Sequence, residues 1–299
     1  MYNYYLSLLG EIPYFLEKYL TVPCLLRLKD VGYFCGMDYA SEDIYDFGEY
    51  ISRYDHSLTV ALLTYKYTKR KKDTIAALFH DIATPCFAHV IDYMNNDYED
   101  QESTEEYTEK IIRDDKYLLA CLKEDRIKVS DIINFKRYSI VDLKRPKLCA
   151  DRIDGIVLTG AYWAKNVQKS DIKMIVDDLK VYENEDGEAE LGFKTLEVGR
   201  RVLDINESID RLCHSNEDNY MMELLASITK RAIDKKIINY DDLYYLTEKE
   251  LFALFDKNKA LDKLLYEFRN IKFKDIKEKD IPNLKIRVIN PLVQNKRIL

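Results

Sequence analysis

Apolar side chains recur at helical spacing along most of the chain. Residues 12–30 carry Leu16, Leu20, Leu25, Leu26 and Leu28 on such a repeat and then meet Gly32 and Gly36, which predicts a helix followed by a loop. Residues 57–69 set Leu58, Ala61, Leu62 and Tyr65 on one face, and residues 74–82 do the same with Ile75, Ala76, Leu78 and Phe79. These read as two short, packed helices. Residues 95–116 are rich in Asp, Glu and Asn and lack large aliphatic side chains until Ile111, the pattern of an exposed loop leading into a helix. Lys180-Val-Tyr-Glu and Ala189-Glu-Leu-Gly-Phe alternate around Asn184-Glu-Asp-Gly187, where Asp-Gly supports a tight turn, so a small β-hairpin is expected. Helical patterns return over 198–212, 220–232 and 241–268, and the basic, Asn-rich tail 285–299 reads as a strand or an arm.

Composition sharpens this to a fold class. Nine Gly and six Pro in 299 residues favour long helices over a turn-rich sheet protein, so the expectation is a mostly α fold with one hairpin. With no repeat and no Pro/Gly/Ser-rich linker, 1–299 reads as a single domain whose C-terminal helical extension covers about 195–299. Net charge is −7, which argues against nucleic acid or an anionic membrane as a partner. The dense run Lys69-Arg70-Lys71-Lys72 reads as a solvated helix end complementing the helix dipole. The 24 tyrosines are scattered through helical patterns and read as amphipathic packing rather than base-stacking platforms. Six cysteines without a Cys-x-x-Cys pair point to reduced thiols. Absence of a basic leader or a long apolar run adds no membrane segment, and a cytoplasmic protein is expected.

The chemistry concentrates near the first third of the chain, where three of the four histidines lie between positions 56 and 89. The order His56, His80-Asp81, Asp151 offers two imidazoles and two carboxylates, a donor set suited to one divalent ion that keeps positions open for water and substrate. Mn, Fe, Co, Ni, Zn or Mg would be compatible. Neighbours His80 and Asp81 point about 100° apart on a regular helix, so both reach one ion only from a helix edge. Arg53, three residues before His56, shares its face. His214, far from this group among acidic residues, reads as surface.

With this pattern the chain resembles the HD-domain phosphohydrolases, an HD core falling at about 45–165. Arg53-Tyr-Asp-His56-Ser57-Leu and His80-Asp-Ile-Ala-Thr-Pro-Cys-Phe-Ala-His89, together with Asp151-Arg152-Ile-Asp154, are similar to the branch containing the deoxynucleoside triphosphate triphosphohydrolases. The resemblance implies a helical HD fold, one divalent metal held by His56, His80, Asp81 and Asp151, hydrolysis of a nucleotide or other phosphate ester, and a homo-oligomer. It also implies that Arg53 and Arg152 touch substrate phosphates and that His89 binds or polarises the phosphate beside the metal. The chain departs from the branch at Thr84 and at Glu105-Glu106, where a histidine and a His-Glu pair are usual. It departs again at Gly155 in place of a tyrosine, and at His214-Ser-Asn-Glu-Asp-Asn in place of basic residues. Glu105 or Glu106 could take or relay a proton if burial raises its pKa toward neutrality. The departures also motivate a second expectation, a catalytically impaired HD module that binds a nucleotide or partner as a regulator, and a third, a chiefly structural ion.

Overall fold

The computed structural model describes residues 1–99, 107–278 and 284–299, and helices dominate them. The central element is the helix Arg53–Thr68, walled in so completely that ten of its residues, Arg53, His56 and Ser57 among them, are buried. Ser52 caps it. Its Oγ accepts the Asp55 N–H at 3.1 Å while Asp55 Oδ2 accepts the Ser52 N–H at 2.9 Å, a reciprocal box that fixes where the helix starts. Lys69, at φ 54°, ends it in the left-handed region. Lys71–Leu78 then packs back against it, and Ala150–Tyr162 lies along it from the far side of the sequence.

Two expected helices change shape. Residues 12–30 are broken into Tyr14–Glu17, a 3₁₀ turn Lys18–Thr21, Pro23–Arg27 and a second 3₁₀ turn Leu28–Asp30. Pro23 stands at the first position of a new helix, because its ring fits a helix start and not a helix interior. The helix expected over 74–82 ends at Leu78, with Phe79 as its cap, so His80 and Asp81 stand in the turn that follows. A helix Tyr2–Leu9, which the pattern had not suggested, precedes them all.

The hairpin forms as expected: β1 (Leu179–Glu183) pairs antiparallel with β2 (Ala189–Phe193), and Gly187 turns the chain at φ 76°. The tail resolves into strands. β3 (Leu292–Val293) runs parallel beside β2 and β4 (Lys296–Arg297) completes the order β1-β2-β3-β4. Gly192 permits this, since a Cβ there would lie 2.5 Å from the Leu292 carbonyl oxygen.

The later helical patterns become Leu196–Cys213, Asn216–Asp234, Asp242–Tyr245, Glu248–Phe255 and Asp262–Asn270. Leu196–Cys213 packs on Ala150–Tyr162, and Asn216–Asp234 on Val90–Asn95. A single apolar cluster runs from Tyr2 to Ile289. Burial of that area supplies the main driving force for these packings. The turn after His80 is held from the C-terminal side: Cys86 N–H donates to Leu243 O at 2.7 Å and Phe87 N–H to Glu248 Oε1 at 3.0 Å. Among the described residues no helix is long and apolar enough to cross a membrane.

Candidate metal centre and its cavity

Three elements converge on one point. His56 comes from the second turn of Arg53–Thr68, His80 and Asp81 from the turn after Leu78, and Asp151 from the first turn of Ala150–Tyr162. His56 Nε2 lies 3.1 Å from Asp151 Oδ1 and 3.9 Å from Asp81 Oδ2. His80 Nε2 lies 3.6 Å from the same Asp151 oxygen and 3.7 Å from Asp81 Oδ1. One donor atom each from His56, His80 and Asp151 falls within 4.8 Å of the others, close enough to hold a common ion. Ending the helix at Leu78 removes the 100° conflict between His80 and Asp81, because the turn lets neighbouring side chains face the same point.

Both imidazoles are oriented from behind. His56 Nδ1–H donates to Asp154 Oδ2 at 2.7 Å, and His80 Nδ1–H donates to the Ala77 carbonyl at 2.7 Å. Each bond leaves Nε2 as the lone-pair nitrogen turned inward, the arrangement that metal-binding histidines use. His80 Nε2 is buried and makes no hydrogen bond among the described residues. An unsatisfied buried nitrogen costs about 1–3 kcal/mol, and a cation beside it would remove that cost. The donor set therefore fits a divalent ion.

Charge tells the same story. Burial alone would lower the His56 pKa, but its bonds to Asp151 and Asp154 outweigh burial and lift it to about 10. His80 is raised as well, burial again opposing and Asp81 and Asp151 prevailing. Against burial, His80, Arg53 and His56 hold Asp81 down to about 2, and the two histidines hold Asp151 well below the usual carboxylate range. The carboxylates thus demand positive charge at this point, which protons or a metal ion can supply.

The remaining expected residues divide. Arg53 is buried on the same helix, donates to Asp81 Oδ2 at 2.9 Å and stacks 5.1 Å over the Tyr33 ring. His89 lines the cavity, and its Nδ1 meets Asp92 Oδ2 at 2.8 Å, which leaves Nε2 outside that bond. Arg152 lines the cavity too, yet its guanidinium donates to the Leu143 carbonyl at 2.8 Å and to that of Lys147. His214 is exposed at a helix end, bonded to the Asp210 carbonyl. Glu105 and Glu106 lie outside the described residues.

The centre opens into a cavity of about 640 Å³. Besides the metal-capable group its wall carries Lys136, Lys144, Arg145, Lys285 and Arg287, and an aromatic stretch that includes Tyr33, Phe34, Tyr45, Phe47 and Trp163. Crowding shows in the cations: burial first, then Arg152 and Arg287, push Arg145 down to about 10. Burial, then Arg287 and Arg145, likewise lower Lys285. An anion bound there would relieve both.

Sequence reasoning missed Asp154, Tyr33 and the tail cations as parts of this site. Asp154 was findable, because it stands three residues after Asp151 and so shares its helical face. Tyr33, Lys285 and Arg287 carry no local signal, since only tertiary packing brings them to the cavity.

Over 215 residues the chain is 25% identical to the Bacillus subtilis (strain 168) protein named "Uncharacterized protein YdhJ", an alignment covering 70% of this chain and 62% of that one. The aligned chain thus spans less than two thirds of that relative's length. Residues 53–184 match the HD domain family, a stretch that contains His56, His80, Asp81 and Asp151 and so supports an HD-domain assignment for this part of the molecule.

Proposed function

We propose that the protein is a metal-dependent phosphohydrolase acting on a nucleotide, with a deoxynucleoside triphosphate as the leading substrate. One observation carries this reading: a single cavity, which the metal-capable group reaches through His56, Asp81 and Asp151, is lined as well by a row of cations and an aromatic wall. A ligand with an anionic end and a flat heteroaromatic end matches both halves. His56, His80 and Asp151, with Asp81 beside them, would hold the ion, which when bound supplies Lewis-acid activation of water and of the phosphoryl group.

The chain's own groups do the rest. Asp154 and the Ala77 carbonyl keep the imidazoles in the tautomer that binds. Arg53 and the basic wall offset negative charge that builds on phosphate oxygens in the transition state, inside a site where low dielectric strengthens each contact. His89, oriented by Asp92 and lining the same cavity, would bind a phosphate oxygen or pass a proton.

A second reading is a regulator that binds a nucleotide without turning it over. What favours it is that Arg152 already gives both terminal nitrogens to backbone carbonyls, and that one terminal nitrogen of Arg53 is held by Asp81. Incubation of the metal-loaded protein with a panel of nucleotides under Mn, Fe, Co, Ni, Zn and Mg decides between them. Release of phosphate, pyrophosphate or tripolyphosphate supports the hydrolase, whereas saturable binding with no product under any metal supports the regulator.

A further inference from the structure

Ring contacts trace a continuous wall away from the metal-capable group. Tyr33 lies 5.0 Å from the His56 ring, Phe34 lies 5.3 Å from Tyr33, Phe47 stacks 4.1 Å from Phe34, and Tyr45 stacks 5.5 Å from Phe47. At the end of that path Tyr45 Oη–H donates to Asp218 Oδ1 at 2.7 Å. Asp218 lines the cavity, is 8% exposed, and is the acidic lining residue on the aromatic side; Asp81, Asp142 and Asp151 all lie by the cluster.

A buried carboxyl among aromatic rings has a cost that a structural role should remove, and here it is only partly removed. Its backbone N–H is satisfied by Ser215 Oγ at 3.2 Å, within the first turn of Asn216–Asp234. Among the described residues its side chain accepts the Tyr45 bond. Burial holds Asp218 up to about 7, the Tyr45 bond and the Arg287 charge opposing and Glu217 reinforcing. A ligand N–H donor at the second oxygen would add to the Tyr45 bond.

We propose that Asp218 reads the base: the aromatic half of the cavity takes a nucleobase carrying an exocyclic amino group, and thymine is disfavoured there. The inference rests on the nucleotide reading above and adds which nucleotides. An ionised carboxyl, with Oδ1 taken by Tyr45, accepts an N–H of the exocyclic amino group of guanine, adenine or cytosine on its other oxygen. Thymine offers one N–H flanked by two carbonyl oxygens, which face a carboxylate as like charge and weaken any bond to it. Discrimination built on such hydrogen bonds is far stronger than discrimination by apolar fit.

The test is the affinity of the Mn-loaded protein for dATP, dGTP, dCTP and dTTP, read by calorimetry without requiring turnover. The expected result is dTTP binding about tenfold or more weaker than the other three. Asp218→Asn should narrow that gap to within about threefold, because an amide presents both a donor and an acceptor and pairs with thymine as readily. Tyr45→Phe leaves the carboxyl in place but unanchored, and should weaken the three amino-bearing nucleotides while sparing dTTP. A merely structural Asp218 would shift all four together. Equal binding of the four nucleotides, or an unchanged ratio in both variants, overturns the inference while the nucleotide reading stands. If none of the four binds, the nucleotide reading itself fails.

Discussion

The two halves of the cavity are built on different principles. At the metal-capable end, every group is fixed by a partner close in sequence or on a packed helix: His80 by Ala77, His89 by Asp92, and His56 by an Asp154 that shares a helix face with Asp151. In the rest of the cavity, Tyr45 and Asp218 are 173 residues apart, and Lys285 and Arg287 arrive from the tail. Chemistry that must be held to within fractions of an ångström sits on short, redundant supports, while the surface that would meet a variable ligand is assembled from distant segments.

The sharpest way to break this comparison is at the shared point of the first half. His80→Ala removes the buried Nε2 that lacks a hydrogen bond among the described residues, and with it one of the three groups that can share an ion. Bound metal measured by elemental analysis should fall to near zero and turnover by more than about a hundredfold, beyond the range expected for losing a supporting bond. Full metal content in this variant would remove His80 from the centre.

The same contrast explains what could be read from the chain. His56, His80, Asp81 and Asp151 were legible because they stand in a fixed order beside strongly periodic apolar runs, and the hairpin because Asp-Gly dictates its turn. Helix ends were less legible: Leu78 closes its helix although the apolar pattern continues through Ile82, since packing of the following turn against Leu243 and Glu248 overrides local periodicity. Asp218 was invisible, for it stands in a polar stretch that reads as an ordinary helix start until Tyr45 is folded onto it.

Next in size is a buried carboxyl that holds the turn after His80 from the C-terminal side. Glu248 is wholly buried, accepts the Phe87 N–H through Oε1, and faces Asp38 across Gly32, where a Cβ would lie 2.7 Å from Asp38 Oδ2 and 3.1 Å from Glu248 Oε2. Burial first, with Asp38 adding to it and the Phe87 and Gly32 N–H groups and Arg53 opposing, raises it to about 8. A raised carboxyl binds its proton more tightly when folded. Its stabilising contribution is therefore complete below the unfolded pKa of about 4.3 and is lost as pH climbs through about 8. Glu248→Gln, neutral throughout, should lack this dependence and gain on the parent protein by on the order of a few kcal/mol between pH 5 and 9. Denaturant unfolding across that window checks it, and parallel curves for the two proteins would contradict it.

Asp154→Asn tests whether the supports matter apart from the ligands. The amide can still meet His56 Nδ1, but as a donor it would favour the wrong tautomer and turn the lone pair away from the centre. Metal affinity should drop about 10- to 100-fold with the helix intact, a loss visible by competition with a chelator. Affinity equal to that of the parent would mean that Asp151 and Asp81 alone set the binding.

The smallest effect isolates the scaffold from the chemistry. Ser52 starts the helix that carries both Arg53 and His56, and Ser52→Ala deletes the Oγ that accepts the Asp55 N–H at 3.1 Å. A lost cap of this kind costs about 1 kcal/mol. For a chain of this size that is a melting temperature lower by about 2–4 °C. His56 stays bonded to Asp154 and walled by its neighbours, so metal stoichiometry should not change. A variant that melts as expected but loses its metal would show that the site depends on the cap's exact placement of the first turn, and that the metal-capable half is less redundantly supported than its geometry argues.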